Sequence, residues 1–328
     1  MKPGLSESQH HRPGRIAVHC LAILQVCWLA LPTSLQAQSS ASYIVVDATQ
    51  KKILLEGEPD RKLPVASLTK VATATVAMDW VDARKGDRSE MMAVPYSVSS
   101  LGGANPLGLA PGDQISLRDA LYSALLASDN ACALTIADHI GREMMQRTGG
   151  PDPVSVFVTQ MNALAATQGM SRTRFADPHG LSASGYSTAK DLARLMIYAM
   201  RNASFNFICS QQTRRVAYVR QGQSMAFDIK TTNQLLGQMG VDGGKTGSTA
   251  KAGECLILTV RKPDRISDLP GGMKRRVPYR LVIVELASSD RFGQGRMLIQ
   301  QGWNAYENWL ASGLVVKDAK EMLTTPTR

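Results

Sequence analysis

The chain has 328 residues, 44% of them hydrophobic and 20% charged, with a formal net charge of +10. That composition excludes collagen-like and intrinsically disordered chains, and the length suits one large domain or two modest ones. The positive balance favours anionic polymers and surfaces, but no zinc-knuckle spacing or RNA-binding pattern accompanies it, so nucleic acid is set aside.

Taken in order, the chain opens like an export signal. Arg12 and Arg15 precede an apolar run from Ile16 to Leu31, and Ser34-Leu35-Gln36-Ala37 offers a small residue at a cleavage point. Residues 1–37 are therefore expected to be a signal peptide and 38–312 a single catalytic unit, with 313–328 a C-terminal tail. Of five cysteines, Cys20 and Cys27 fall in the signal and Cys132, Cys209 and Cys255 remain, so at least one thiol stays unpaired. The histidines are scattered and no metal-ligand spacing occurs; neither a metal nor a cofactor is expected.

Tyr43–Asp47 and Lys52–Leu55 read as two strands around a turn. Pro64-Val65-Ala66-Ser67-Leu68-Thr69-Lys70 follows. Ser67 and Lys70 stand three apart at the expected start of a helix and share a face. The residues beyond (Val71, Ala72, Thr75, Val76, Met78) are apolar or small nearly all round, which predicts a buried helix. Burial lowers a lysine's pKa and makes it a base; a base beside a hydroxyl activates the serine as a nucleophile. Alone, an S-x-x-K spacing is as compatible with a helix cap and a surface lysine.

Residues 83–111 are loop-rich. Ser116-Leu117-Arg118-Asp119 has the form of a capping box opening a helix, which Ser128-Asp129-Asn130 interrupts before Ala131–Ile140 resumes an apolar helix. These three residues suit a helix–helix turn, and the same turn could aim a hydroxyl and an amide into a cleft. Val154–Gln168 and Thr188–Met200 are predicted helices on either side of the turn-rich Phe175-Ala176-Asp177-Pro178-His179-Gly180-Leu181, so the middle of the chain reads as mainly helical. Gly243-Gly244-Lys245-Thr246-Gly247 opens the final strands, its glycines allowing close backbone approach. Cys255–Val260 and Arg280–Leu286 are predicted strands joined by a long polar loop, and Gly293–Leu310 a closing helix. Strands from both chain ends flanking a helical middle imply one sheet with a helical subdomain, roughly 80–230, inserted into it.

The S-x-x-K of Ser67–Lys70 is followed in order by S-D-N and K-T-G, each of which occurs once. Together they match the motif set shared by class A β-lactamases and penicillin-binding proteins. With Tyr186-Ser187-Thr188-Ala189-Lys190-Asp191-Leu192, Asp242 and Ala252-Gly253, the chain from about 40 to 312 resembles the D-alanyl-D-alanine carboxypeptidase family, the low-molecular-mass penicillin-binding proteins of serine peptidase family S11. The resemblance implies an α+β fold with a five-stranded antiparallel sheet flanked by helices and an inserted all-helical subdomain. It implies a periplasmic or otherwise extracytoplasmic enzyme acting on peptidoglycan pentapeptide or cross-linked muropeptides, with β-lactam antibiotics as covalent inhibitors and membrane association only if the signal is uncleaved. The implied catalytic residues are Ser67, Lys70, Ser128 and Asn130. Lys245, Thr246, Gly247, Ser248 and Arg296 (or Arg291) are the implied substrate-binding residues.

The implied reaction is a serine-type D-Ala-D-Ala carboxypeptidase; the alternative is a D-Ala-meso-diaminopimelate endopeptidase of peptidoglycan cross-links. Ser248 stands where several carboxypeptidases carry His and some endopeptidases Phe, which leaves that choice open. No E-x-x-L-N stretch lies between Asn130 and Lys245; class A β-lactamases use that Glu to activate the deacylating water. Inhibition by β-lactams is thus expected rather than their turnover. A β-lactamase and a non-catalytic cell-wall sensor are the remaining alternatives.

Overall fold

The computed structural model describes residues 41–268 and 270–324. The expected signal peptide lies outside the described residues.

The central sheet has five antiparallel strands in the order β2-β1-β9-β8-β7. β1 (Ser42–Asp47) and β2 (Ile53–Gly57) come from the start of the chain, and β7 (Val241–Thr249), β8 (Gly253–Asp268) and β9 (Lys274–Ser288) from its end. Side chains alternate across a strand, and the alternation along β9 divides two cores. Val282, Val284 and Leu286 join the core shared with the helices. Leu281 and Ile283 join the core under the closing helix α7 (Arg291–Ala311), where Leu298, Trp303, Tyr306 and Trp309 are buried. Gly302 lets α7 lie close to the sheet: a β-carbon there would sit 2.8 Å from Val45.

On the opposite face α1 (Thr69–Ala83) is buried almost all round, as its composition leads one to expect. Around it stand α2 (Leu117–Leu126), α3 (Asn130–Thr148), α4 (Pro153–Thr167), α5 (Ala189–Ala199) and α6 (Ala203–Cys209). All five of these helices begin on side-chain caps; at α6 Asn202 Oδ1 accepts from the N–H groups of Ser204 and Phe205. Ser116, Asp129, Asp152 and Thr188 each accept a hydrogen bond from a backbone N–H three residues on, satisfying a donor the helix itself cannot.

The inserted segment is not all-helical. It carries a second antiparallel sheet, β3-β4-β5-β6, made of Met91–Ala93, Gln114–Ser116, Thr213–Arg220 and Gln223–Lys230. β5 and β6 form a hairpin closed by Gln221-Gly222, with φ of 50° and 79°. Two positive φ values in a two-residue loop match the right-handed twist of the strands. The expected polar loop between the last two strands is also strand. β8 and β9 stay paired from Arg261↔Arg280 out to Asp268↔Lys274, past the ends of their outer neighbours. The segment after Ser312 folds back: Leu323 is buried, its N–H donates to Lys51 O (2.7 Å), and Lys52 pairs with Glu321. Cys132, Cys209 and Cys255 are all buried free thiols.

Candidate active site

Ser67 sits in a short 3-10 turn, Ala66–Leu68, just before α1. It does not cap the helix as expected; no side-chain cap bond forms there and the N-cap of α1 is Leu68. The Ser67 hydroxyl faces Lys70 instead, with Oγ and Nζ 2.9 Å apart. The turn is held in an uncommon conformation, Ala66 having φ 47°. Two backbone segments clamp it. A β-carbon on Gly180 would lie 1.9 Å from Ala66 O, and one on Gly247 would lie 3.1 Å from Ser67 N. Glycine at both positions is what lets the 177–181 loop and strand β7 close on the turn bearing Ser67.

Lys70 is fully buried. Besides Ser67, its Nζ donates to Asn130 Oδ1 (2.6 Å) and His179 O (3.0 Å). Asn130 is oriented by its own amide, Nδ2 donating to Gly102 O at 3.1 Å. Neither oxygen partner of Lys70 can donate. A neutral amine spends its two hydrogens on them and turns its lone pair to the one neighbour that carries a proton, the Ser67 hydroxyl. Burial pushes the Lys70 pKa down to about 7, against the opposing pull of Asp129 and Asp177.

His179 O reaches Lys70 because Asp177 folds the loop around its carboxylate, accepting from the N–H groups of His179 (2.9 Å), Gly180 and Ser182. Sequence reading took this run as a turn-rich loop; the D-P-x-G order, with a carboxylate two and three residues before N–H groups it accepts from, is the signal for such a turn.

Ser128-Asp129-Asn130 forms the turn between α2 and α3. Ser128 has φ 62°. Asp129 is completely buried; its Oδ1 accepts from Cys132 N (3.0 Å) and its Oδ2 from Ser123 Oγ (2.9 Å). Burial raises the Asp129 pKa, and Lys70 opposes the rise. With Asp129 fixed below the surface, Ser128 and Asn130 are presented on either side of it. The turn reading of these residues holds, and Ser128 Oγ and Asn130 Oδ1 meet the amines of Lys245 and Lys70.

Lys245 is the third arm. It is 2% exposed, and its Nζ donates to Ser128 Oγ (3.0 Å) and Thr246 O (2.8 Å). Burial, then the nearby charge of Lys70, hold its pKa well below the ordinary lysine value. Thr246 Oγ1 shares a hydrogen bond of 2.6 Å with Thr232 Oγ1, and Thr232 N donates to Leu126 O at the end of α2. Thr232 is a supporting residue that no local pattern announces. β7 is an edge strand, hydrogen-bonded to β8 alone within its sheet, and Ser248 on it is exposed.

The structure brings together Ser67, Lys70, Ser128, Asn130, Lys245, Thr246 and Gly247. It places Arg291, not Arg296, against them: Arg291 Nη1 donates to Gly247 O at 2.9 Å, and its backbone N–H to Glu254 Oε2 at 3.1 Å. Arg296 is exposed and its guanidinium reaches only Phe292 O, at 3.4 Å. Of the two arginines the sequence left open, Arg291 is the one beside strand β7, and Arg296 lies away from it.

Known proteins carry the same arrangement of sequence and fold. The chain is 32% identical over 225 residues to a D-alanyl-D-alanine endopeptidase of Pseudomonas aeruginosa, covering 68% of this chain and 67% of that protein. It is 28% identical over 300 residues to the D-alanyl-D-alanine carboxypeptidase DacC of Escherichia coli, covering 85% of this chain and 67% of the relative. It thus spans about two thirds of each relative's length. A Streptomyces DD-transpeptidase shares the fold, with a TM-score of 0.66 at 24% identity, covering 80% of this chain and 96% of that one. The profile of the family described as D-alanyl-D-alanine carboxypeptidase matches residues 31–266. With its three sequence motifs converged on one cleft and most of its length matched by that profile, the chain belongs to the D-alanyl-D-alanine carboxypeptidase family of serine peptidases.

Proposed function

We propose that the chain hydrolyses the bond after a D-alanine in peptidoglycan stem peptides through an acyl-enzyme on Ser67. The observation that carries this reading is the contact set of Lys70, two acceptors and one hydroxyl around a buried amine. Lys70 takes the Ser67 proton as Oγ attacks the carbonyl. Ser128, hydrogen-bonded to Lys245, passes a proton to the departing amine. Asn130 orients Lys70. Lys245, Thr246 and the neighbouring Arg291 receive the terminal carboxylate of the substrate. The N–H groups of Ser67 and Ser248 form the oxyanion hole, each donor contributing about 3 kcal/mol to the transition state. Water then releases the acyl group.

Carboxypeptidase action, with free D-alanine leaving, is the leading form. The similarity to the Pseudomonas endopeptidase favours a second form in which the leaving amine belongs to a neighbouring stem. Digestion of purified muropeptides separates them: loss of one alanine mass marks the first, conversion of dimers to monomers the second. β-Lactams acylate Ser67 and are released slowly. Residues 1–37 direct export, which places the enzyme in the periplasm or outside the cytoplasm, and 38–312 form the catalytic unit. Ser67→Ala is expected to abolish both fluorescent-penicillin labelling and peptide hydrolysis, and hydrolysis that survives in the variant assigns the nucleophile elsewhere.

A further inference from the structure

The paired extension of β8 and β9 has no role in the cleft. β7 stops pairing at Val260 and β1 at Leu281, so from Arg261 to Arg280 the two strands form a ribbon without neighbours in the central sheet. Residues 261–280 hold seven Lys and Arg against two Asp, half of the chain's net charge of +10 in twenty residues.

The two faces of the ribbon differ. Lys262 lies over the Trp303 ring at 4.7 Å and pairs with Glu307 at 3.1 Å, so its face rests on α7. The other face carries Arg261, Arg276 and Arg280, which with Arg201 after the end of α5 line an open cavity of about 340 Å³. The carboxylates within reach are Asp264, paired with Arg276, and Asp242, paired with Arg280 and 3.8 Å from Arg261. Four guanidinium groups against two carboxylates leave an excess of two positive charges. Guanidinium forks match the oxygens of a phosphate. Further out, Ile266 and Met273 are 59% and 63% exposed. Cations alone would serve for a soluble polyanion; apolar side chains standing among them at the outer part of a ribbon match the boundary of a bilayer, where headgroup phosphates meet acyl chains.

We propose that this ribbon docks the protein on a membrane surface bearing anionic phospholipid, with phosphate in the arginine-lined cavity and Ile266 and Met273 at the acyl boundary. None of the residues lining the cavity belongs to the catalytic cleft.

The test uses the full chain carrying Met273→Cys with Cys20→Ser and Cys27→Ser, labelled with an environment-sensitive fluorophore; Cys132, Cys209 and Cys255 are buried and remain unlabelled. Vesicles of phosphatidylcholine alone are compared with vesicles containing one third phosphatidylglycerol. A blue shift is expected on the anionic vesicles only. It is expected to weaken at least about tenfold in binding when Lys274→Glu and Arg276→Glu are combined, and to fade at high salt. Unchanged penicillin labelling of Ser67 in the combined variant shows that the fold is intact. The proposal is overturned by an absent shift on anionic vesicles, by a shift that survives the charge reversal, or by binding of soluble polyphosphate with no shift on either vesicle.

Discussion

A buried amine whose neighbours are an amide oxygen, a carbonyl oxygen and a hydroxyl has one place from which to take a proton. Acylation therefore follows the neutral fraction of Lys70. The rate constant for penicillin labelling is expected to fall about tenfold per pH unit below about 7 and to level off above it. The sign follows from the shift: burial lowers the pKa, so the active base is the form that predominates on the alkaline side. Lys70→Arg, which cannot lose its proton, should lower the rate by about 10² to 10⁴ at every pH and remove the inflection. Ser67, Lys70, Ser128, Asn130, Lys245, Thr246 and Gly247 were legible in the sequence because each lies in a short run whose chemistry is local. Arg291 was not separable from Arg296. Both lie on α7 about 140° apart around its axis, and which one meets Gly247 depends on how the helix start is placed beyond β9, a tertiary fact.

Among the elements, the short turn bearing Ser67 owes its shape to two glycine contacts rather than to its own propensities. Gly180 has φ 89° as well as the close approach to Ala66 O, so Gly180→Ala meets both a strained backbone and a steric overlap. It should lower thermal stability by about 1–3 kcal/mol and slow penicillin acylation at least about tenfold, because His179 O and Ala66 move together; calorimetry and labelling kinetics read the two effects separately. Capped helices were the easiest elements to read, since Ser116, Asp152 and Thr188 mark their starts in the sequence. The β5–β6 hairpin was missed because Gln-Gly is a weaker turn signal than Asn-Gly and its strands are half solvated, with little apolar alternation. The ribbon of β8 and β9 was missed for a related reason. Its outer residues are mostly polar, with no regular apolar alternation, and Pro263 and Pro278 within it resemble loop punctuation.

At the scale of the molecule, the terminal segment is part of the folded body. Leu323 is 1% exposed, Lys52 and Met322 form a β-bridge, and Arg194 Nε donates to Thr324 O at 2.8 Å. Leu323→Ala should cost about 2–4 kcal/mol of unfolding free energy in a denaturant titration, where an exposed tail would cost nothing measurable. A fold with strands from both ends of the described chain was visible in the sequence; this return of residues 319–324 was not, because so few apolar residues follow Ser312. The cleft also has a consequence for the charge of the whole molecule. Burial lowers the pKa of both Lys70 and Lys245, and the charge of Lys70 lowers that of Lys245 further, so the cleft holds fewer protons than its two amines could accept. A ligand that brings a carboxylate to Lys245 should draw a proton from the buffer as it binds. Isothermal titrations of the Ser67→Ala protein near neutral pH should then give heats that vary with the buffer's ionisation enthalpy, and the amide counterpart of the same ligand should erase that dependence.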